Sequence, residues 1–126
     1  MVGRVRFGGQ LRSNKGINLP GVEVSAPPVS ERDAEEVERA VAAGADFIAM
    51  SFVRRREDLE ALRRLVPPHV RLLAKIEKDT ALRHLDGILA ASDAIMVARG
   101  DLGVELPFEE VPLVQKRPAW AGPRSP

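Results

Sequence analysis

The chain has 126 residues, enough for one modest domain but too few for a complete eight-stranded α/β barrel, which takes about 250 residues. It has no cysteine and two histidines, which excludes a disulfide framework, a thiolate metal site and a cysteine nucleophile. The net charge of +1 predicts no basic surface for nucleic acid. No apolar run approaches the roughly 18 residues of a membrane-spanning helix, and the first residues lack a signal-peptide pattern. We therefore expect a soluble cytoplasmic protein that binds neither nucleic acid nor membranes.

The first part of the chain is typical of β-structure. Val2 to Phe7 predicts a strand, and Gly8-Gly9 predicts a tight turn because glycine takes positive φ angles without a Cβ clash. Two short strands are marginally stable alone. We therefore expect a hairpin that depends on neighbouring strands.

Beyond Pro27-Pro28 helical and apolar patterns alternate. Helices are predicted from the N-cap Ser30 to Gly44, over 57–66, and over 80–91 with a break near Asp86-Gly87. Apolar strands are predicted at 46–53, 70–77 and 93–98, the first of them buried on both faces. A spacing of about two dozen residues between strands favours parallel βα units.

The last residues predict a helix over 107–116 followed by a tail. That tail, 117–126, holds three prolines and one glycine, and we expect it to end the helix. It has no core pattern, so residues 118–126 are expected to be disordered.

The second predicted strand carries a lysine and a glutamate at its carboxyl end. Alternation places Leu72, Ala74 and Ile76 on one face and puts Lys75 and Glu77 on the other. Active sites of α/β proteins lie at the carboxyl ends of parallel strands. Two opposite charges there are costly to desolvate without partners or a metal, so they indicate either a functional site or a strand-end salt bridge.

The third strand ends in Arg99-Gly100-Asp101. Gly100 allows close backbone approach to an anion, and Asp101 brings a second carboxylate to the same edge as Glu77. Together they predict a site for one hard divalent cation, Mg²⁺ or Mn²⁺. Lys15 could contact a phosphate, and Arg54 could face the same site. Composition alone favours an ordinary surface lysine for Lys15 and leaves Arg54 equally open to a capping role.

Four segments carry distinctive motifs: Gly8-Gly-Gln-Leu-Arg-Ser-Asn-Lys-Gly-Ile-Asn-Leu-Pro-Gly21, Asp46-Phe-Ile-Ala-Met-Ser-Phe-Val-Arg54, Ala74-Lys-Ile-Glu77 and Ser92-Asp-Ala-Ile-Met-Val-Ala-Arg-Gly-Asp-Leu-Gly-Val-Glu105. In their order and spacing they resemble the pyruvate kinase family. The resemblance implies an α/β fold that is part of a (β/α)8 TIM barrel, with a short β segment from an inserted β-barrel lid domain. It also implies phosphoryl transfer from phosphoenolpyruvate to ADP in glycolysis, giving pyruvate and ATP.

The resemblance assigns roles residue by residue. Lys75 corresponds to the catalytic lysine that stabilises the phosphoryl-transfer transition state and the enolate. Glu77 and Asp101 correspond to the ligands of Mg²⁺ or Mn²⁺, and the backbone of Gly100 and Asp101 to the contact with the substrate carboxylate. Lys15 corresponds to the nucleotide-phosphate lysine of the lid.

The resemblance also predicts the organisation of the chain. It implies the end of the lid domain at 1–24, three βα units at 25–117 (barrel strands four to six), and a tail at 118–126 that matches nothing in the family. The family's K⁺ ligands are absent here, and the asparagine that usually follows Lys-Ile-Glu is Lys78. The full-length family is homotetrameric, whereas the oligomeric state of this chain is left open.

Three functions follow as hypotheses. The first is a truncated pyruvate kinase-like phosphotransferase that is inactive alone. The second is a metal-dependent aldolase or lyase of the phosphoenolpyruvate/pyruvate barrel superfamily, against which the lid and Ser-Phe-Val-Arg motifs argue. The third is a non-catalytic fragment that self-associates through its open sheet edges.

Overall fold

Helices and parallel strands alternate along the chain. The computed structural model describes residues 3–10, 12–14, 16, 19 and 25–120. The strands are β1 (Phe47–Met50), β2 (Arg71–Ile76) and β3 (Ala94–Val97). The helices are α1 (Glu31–Ala42), α2 (Arg56–Arg63), α3 (Asp79–Arg83), α4 (Leu85–Ala91), α5 (Arg99–Glu105) and α6 (Val111–Trp120), with a 3₁₀ turn at Phe108–Glu110.

The three strands form one parallel sheet in the order β1-β2-β3, as the spacing predicted. Ala74 of the central strand lies opposite Met50 on one side and Ile95 on the other. All carboxyl ends therefore meet at one edge of the sheet, where Lys75, Glu77 and Asp101 lie.

One face of the sheet forms the core. Leu72, Ala74 and Ile76 are fully buried, and they follow the alternation predicted for β2. On the opposite face Phe47 and Met96 are each 47% exposed. The expectation that the first strand is buried on both faces is therefore wrong for the described residues. The described helices cover one face of the sheet, and the apolar composition of a strand does not tell which elements would cover the other face.

Helix α1 begins and ends as its sequence predicted. The hydroxyl of Ser30 accepts the N–H of Asp33 at 3.2 Å, and the Asp33 carboxylate accepts the N–H of Ser30 at 2.8 Å. At the other end Gly44 has φ +84°. Its N–H donates to the Val41 carbonyl and that of Ala45 to the Ala40 carbonyl, which forms a Schellman motif.

Two predictions about secondary structure were wrong, one for the hairpin and one for the helix break. Residues 3–10 contain no strand, so they do not form the hairpin predicted at Gly8-Gly9, as expected if its stability depends on neighbouring strands. The helix break lies at His84. Gly87 sits within α4, where a Cβ would lie 3.4 Å from the Cβ of Arg56, so this glycine serves the close packing of α4 on α2.

The last helix is longer than predicted. Helix α6 continues through Pro118 to Trp120, so residues 118–120 are not a disordered tail. Pro118 has no N–H to donate, and the helix continues for only two residues beyond it. Residues 121–126 of the predicted tail lie outside the described residues.

Asp93 ties the amino-terminal ends of β2 and β3 to the end of α2. Its carboxylate accepts the Leu72 N–H at 2.7 Å and pairs with the guanidinium of Arg63, which also donates to the Val70 carbonyl at 3.1 Å. The hydrogen bond from Arg63, followed by that from Leu72, holds the pKa of Asp93 below its usual 3.8. The ionised form therefore favours the folded state.

We expect Asp93→Asn to lower the free energy of unfolding at pH 7 by about 1 kcal/mol, since the ion pair is partly solvated. Because the folded-state pKa is lowered, this contribution is present above the unfolded-state pKa and is lost as pH falls through the folded-state value. Urea unfolding at a series of pH values should show a weaker acid dependence in the variant. Asp86→Asn, on the exposed face of α4, is the control; equal acid dependence of Asp93→Asn and the wild type would contradict the prediction.

Candidate functional site

A cavity of about 1130 Å³ lies at the carboxyl edge of the sheet. Its walls include residues that follow β1 and β2 and the first turn of α5: Ser51, Phe52, Glu77, Lys78 and Asp101. Gly16 and Leu19 from the amino-terminal segment also line it. The parallel topology thus brings residues from three successive strand ends to one cavity.

Lys75 and Glu77 form an ion pair at the end of β2. The Nζ of Lys75 lies 2.5 Å from Oε1 of Glu77 and donates to Oγ of Ser51 at 3.0 Å. The side chain of Lys75 is 27% exposed, whereas that of Glu77 is 2% exposed. A buried carboxylate therefore holds an ammonium group that still reaches solvent.

The second oxygen of Glu77 is held by the backbone of Phe52. The Phe52 N–H donates to Oε2 at 2.7 Å, and Phe52 has φ +55°, in the left-handed region. This conformation costs a residue other than glycine about 1–3 kcal/mol, and such strain concentrates at functional sites. The orientation of Glu77 is thus set by two donors on different elements.

Asp101 supplies the second carboxylate of the cavity from the first turn of α5. It is exposed and makes no hydrogen bond or ion pair with the described part of the chain. The first helical hydrogen bond runs from Leu102 N–H to the Ala98 carbonyl, so the N–H groups of Gly100 and Asp101 precede the bonded part of the helix. A Cβ added at Gly100 would meet no atom within 4 Å, so the backbone here is open to close approach.

Arg54 lines the cavity and also organises the start of α2. Its guanidinium donates to both carboxylate oxygens of Asp58, at 3.0 and 3.1 Å, and its N–H donates at 2.9 Å. Burial alone would raise the pKa of Asp58, but the hydrogen bonds from Arg54 and Arg55 outweigh it and leave the pKa below 3.8. Both interpretations left open for Arg54, a cavity residue and a helix-end residue, therefore describe its position.

Of the remaining candidate residues, Lys15 lies outside the described residues. His69 and His84 are exposed and do not line the cavity, as expected of surface histidines. Sequence reasoning assigned no role to Ser51, Phe52, Asp58 or Glu105. A Phe at positive φ has no sequence signal, whereas Ser51 could have been noticed as the polar residue at the end of an apolar strand.

The donor set of the cavity fits a hard divalent cation. Within the described ranges no group of three or more His, Cys, Asp or Glu side chains forms a closed cage. Mg²⁺ is commonly held by one or two carboxylates, with waters and substrate oxygens as its other ligands. Oε2 of Glu77 accepts one hydrogen bond and Oε1 is paired with the Lys75 ammonium, so each oxygen has a further lone pair, and Asp101 is unengaged by the described residues.

A parallel α/β unit with a charged cluster at the carboxyl ends of its strands is the arrangement of α/β enzymes. Residues 1–119 match the family model described as the pyruvate kinase barrel domain. The chain is 54% identical over 113 residues to a pyruvate kinase of Mycobacterium intracellulare, covering 87% of this chain and 24% of the relative. It is 49% identical over 116 residues to a pyruvate kinase of Methylorubrum extorquens (92% and 24%) and 47% identical over 120 residues to one of Geobacillus stearothermophilus (92% and 20%).

The chain therefore belongs to the pyruvate kinase family, an enzyme family, and matches its barrel domain. It spans between a fifth and a quarter of the length of these curated relatives. No helix in the described part of the chain is long and apolar enough to cross a membrane.

Proposed function

We propose that the carboxyl edge of the sheet, where Glu77 and Asp101 line the cavity and Lys75 pairs with Glu77, provides the cation-binding and lysine part of a site for phosphoryl transfer from phosphoenolpyruvate to ADP. The observation that carries this proposal is the buried Glu77, held by Lys75 and by the strained Phe52 at the end of the central strand. The match to the pyruvate kinase family favours this function over an aldolase or a purely structural module.

Glu77 and Asp101 would hold the divalent cation. A bound Mg²⁺ would neutralise charge on the substrate oxygens and orient them. The chain's contribution is to present two carboxylates on separate elements, so that an ion between them fixes the end of β2 relative to α5. Asp101 has no ion pair with the described residues, so a bound cation would supply its counter-charge.

Lys75 would stabilise the charge that develops on the transferred phosphoryl group and on the enolate oxygen. Phosphoryl transfer depends mainly on positioning and on charge neutralisation, so a fixed ammonium group can contribute directly. Ser51 and Glu77 restrict Lys75 to one orientation while its Nζ remains partly exposed. Such preorganisation avoids reorienting the ammonium during the reaction.

The substrate carboxylate would meet the backbone N–H groups of Gly100 and Asp101. The open space at Gly100 and the unbonded first turn of α5 support this contact. Lys15 is proposed as the nucleotide-phosphate lysine on the family resemblance alone. On the same basis 25–117 are three βα units of a TIM barrel, and 1–24 are the end of the lid domain.

The cation site is testable with Mn²⁺ on the 126-residue chain. Loss of the free-Mn²⁺ electron paramagnetic resonance signal on titration should reveal one site that Mg²⁺ competes for. Asp101→Asn should weaken binding about tenfold, because one of two charged ligands becomes neutral. Asp86→Asn, with the same charge change on α4, should leave the affinity unchanged. Saturable binding that Asp101→Asn does not affect would overturn the proposed site.

Turnover is a separate question, because the chain matches only part of its relatives. We propose that the isolated chain is inactive, and a coupled assay for pyruvate formation from phosphoenolpyruvate and ADP tests this. Robust turnover that Lys75→Met abolishes would overturn the inactivity while supporting the assignment of Lys75.

A further inference from the structure

Phe52, Lys78 and Glu105 connect the ends of three successive strands, and Phe52 and Lys78 also line the cavity. The proposed chemistry gives none of the three a role as ligand or catalyst. Phe52 follows β1, Lys78 follows Glu77 at the end of β2, and Glu105 ends α5, which follows β3. We call these three residues the brace. Its members are far apart in sequence and meet only through the parallel register of the sheet.

Lys78 is the centre of the brace. Its Nζ donates to Oε1 of Glu105 at 2.8 Å and lies 5.8 Å from the centroid of the Phe52 ring. The Glu105 side chain is only 4% exposed, so its charge depends on Lys78 for compensation. A buried pair of this kind holds its two elements at one separation, because moving them apart leaves a buried charge unpaired.

Lys78 and Glu105 are each close in sequence to a proposed cation ligand. Lys78 directly follows Glu77, and Glu105 is one helical turn from Asp101 on the short helix α5. Phe52 contacts both Glu77 and Lys78: its N–H donates to the Glu77 carboxylate, and its ring lies 5.8 Å from the Lys78 ammonium. The ring is 59% exposed, so burial of apolar surface does not account for the strained conformation of this residue.

We propose that Lys78 is a positioning residue that sets the separation of Glu77 and Asp101 by joining the end of β2 to α5 through the brace. The inference rests on the proposed function, because the two carboxylates matter together only if they share a cation. Lys78 acts here through its neighbours, because the contacts that carry this role are those to Glu105 and Phe52.

The direction in which the Mn²⁺ affinity changes when Lys78 is replaced separates this positioning role from simple electrostatics. Removing a cation beside a cation site should strengthen Mn²⁺ binding if only Coulomb repulsion is involved. Loss of a residue that orients metal ligands weakens metal binding about 10–100-fold. We therefore expect Lys78→Met to bind Mn²⁺ at least about tenfold more weakly than the wild type, and Lys78→Arg to restore most of the affinity.

Two further variants complete the test. Arg83→Met removes the same charge from the exposed Arg83–Asp79 pair of α3 and should leave the Mn²⁺ affinity unchanged or slightly raised. The double variant Lys78→Met/Glu105→Gln removes both charges of the Lys78–Glu105 pair and keeps the net charge. It replaces the single variant in the test if that variant fails to fold. It should also bind Mn²⁺ about tenfold more weakly, because the brace is gone.

Amide hydrogen exchange supplies a readout that needs no metal. The Phe52 N–H and the amides of α5 should exchange faster in Lys78→Met, while those of the central strand β2 stay protected. Tighter or unchanged Mn²⁺ binding in Lys78→Met would overturn the positioning role. If the wild type binds no Mn²⁺, the proposed cation site is overturned. Unchanged amide exchange in α5 of the Lys78→Met variant would then overturn the brace as well.

Discussion

Glu77→Gln is expected to weaken Mn²⁺ binding by at least about 100-fold, the largest effect of any single substitution at the cavity. The substitution keeps the size of the side chain but removes the buried charge. One carboxylate oxygen accepts a hydrogen bond from the Phe52 N–H, and the other lies 2.5 Å from the ammonium donor of Lys75. A glutamine has one acceptor oxygen and one donor nitrogen, so one of these two donors must face another donor.

The same substitution should lower the free energy of unfolding by about 1–3 kcal/mol through that unsatisfied donor. Titration of free Mn²⁺ by electron paramagnetic resonance gives the affinity, and urea unfolding monitored by circular dichroism gives the stability. Asp79→Asn is the matched control, since it removes a carboxylate two residues away on the exposed side of α3. Equal Mn²⁺ affinities of the two variants would show that Glu77 is not a ligand.

Asp58→Ala is expected to be the most destabilising change of a single charged residue, at about 3 kcal/mol. The Asp58 carboxylate is 3% exposed and accepts hydrogen bonds from the side chain and the backbone of Arg54. Its removal deprives a partly buried guanidinium and a backbone N–H of their acceptor. Because a domain of this size is typically stable by about 5–15 kcal/mol, this is a large fraction of the total.

A matched control lies on the same helix. Glu60 pairs with Arg56 at the same i,i+4 spacing, with a 2.6 Å contact, but both side chains are exposed. Glu60→Ala should therefore cost about 0.5 kcal/mol or less in urea unfolding. Since the pKa of Asp58 is lowered, its contribution is present above the unfolded-state pKa and is lost as pH falls through the folded-state value. Similar losses for the two variants at pH 7 would contradict the argument.

Much of the fold was predictable because it depends on local patterns. The capping box of Ser30 and the left-handed Gly44 are properties of a few adjacent residues. The alternation in β2 identified both its buried face and the pairing of Lys75 with Glu77, because residues two apart on a strand lie on one side. Local patterns predicted a helix break near Gly87 and a helix end before Pro118. In the structure Gly87 lies inside α4, where it allows close packing on α2, and α6 continues through Pro118.

Sequence by itself determined the parallel α/β organisation, the family, and the presence of a lysine and two carboxylates at the strand ends. Only the tertiary structure decided how those groups are held. The contact between Phe52 and Glu77 spans 25 residues and that between Lys78 and Glu105 spans 27, so both depend on strand register and on the packing of α5. Local sequence encodes which residues a strand or helix presents, whereas the partners of a buried charge are chosen by elements that fold from distant parts of the chain.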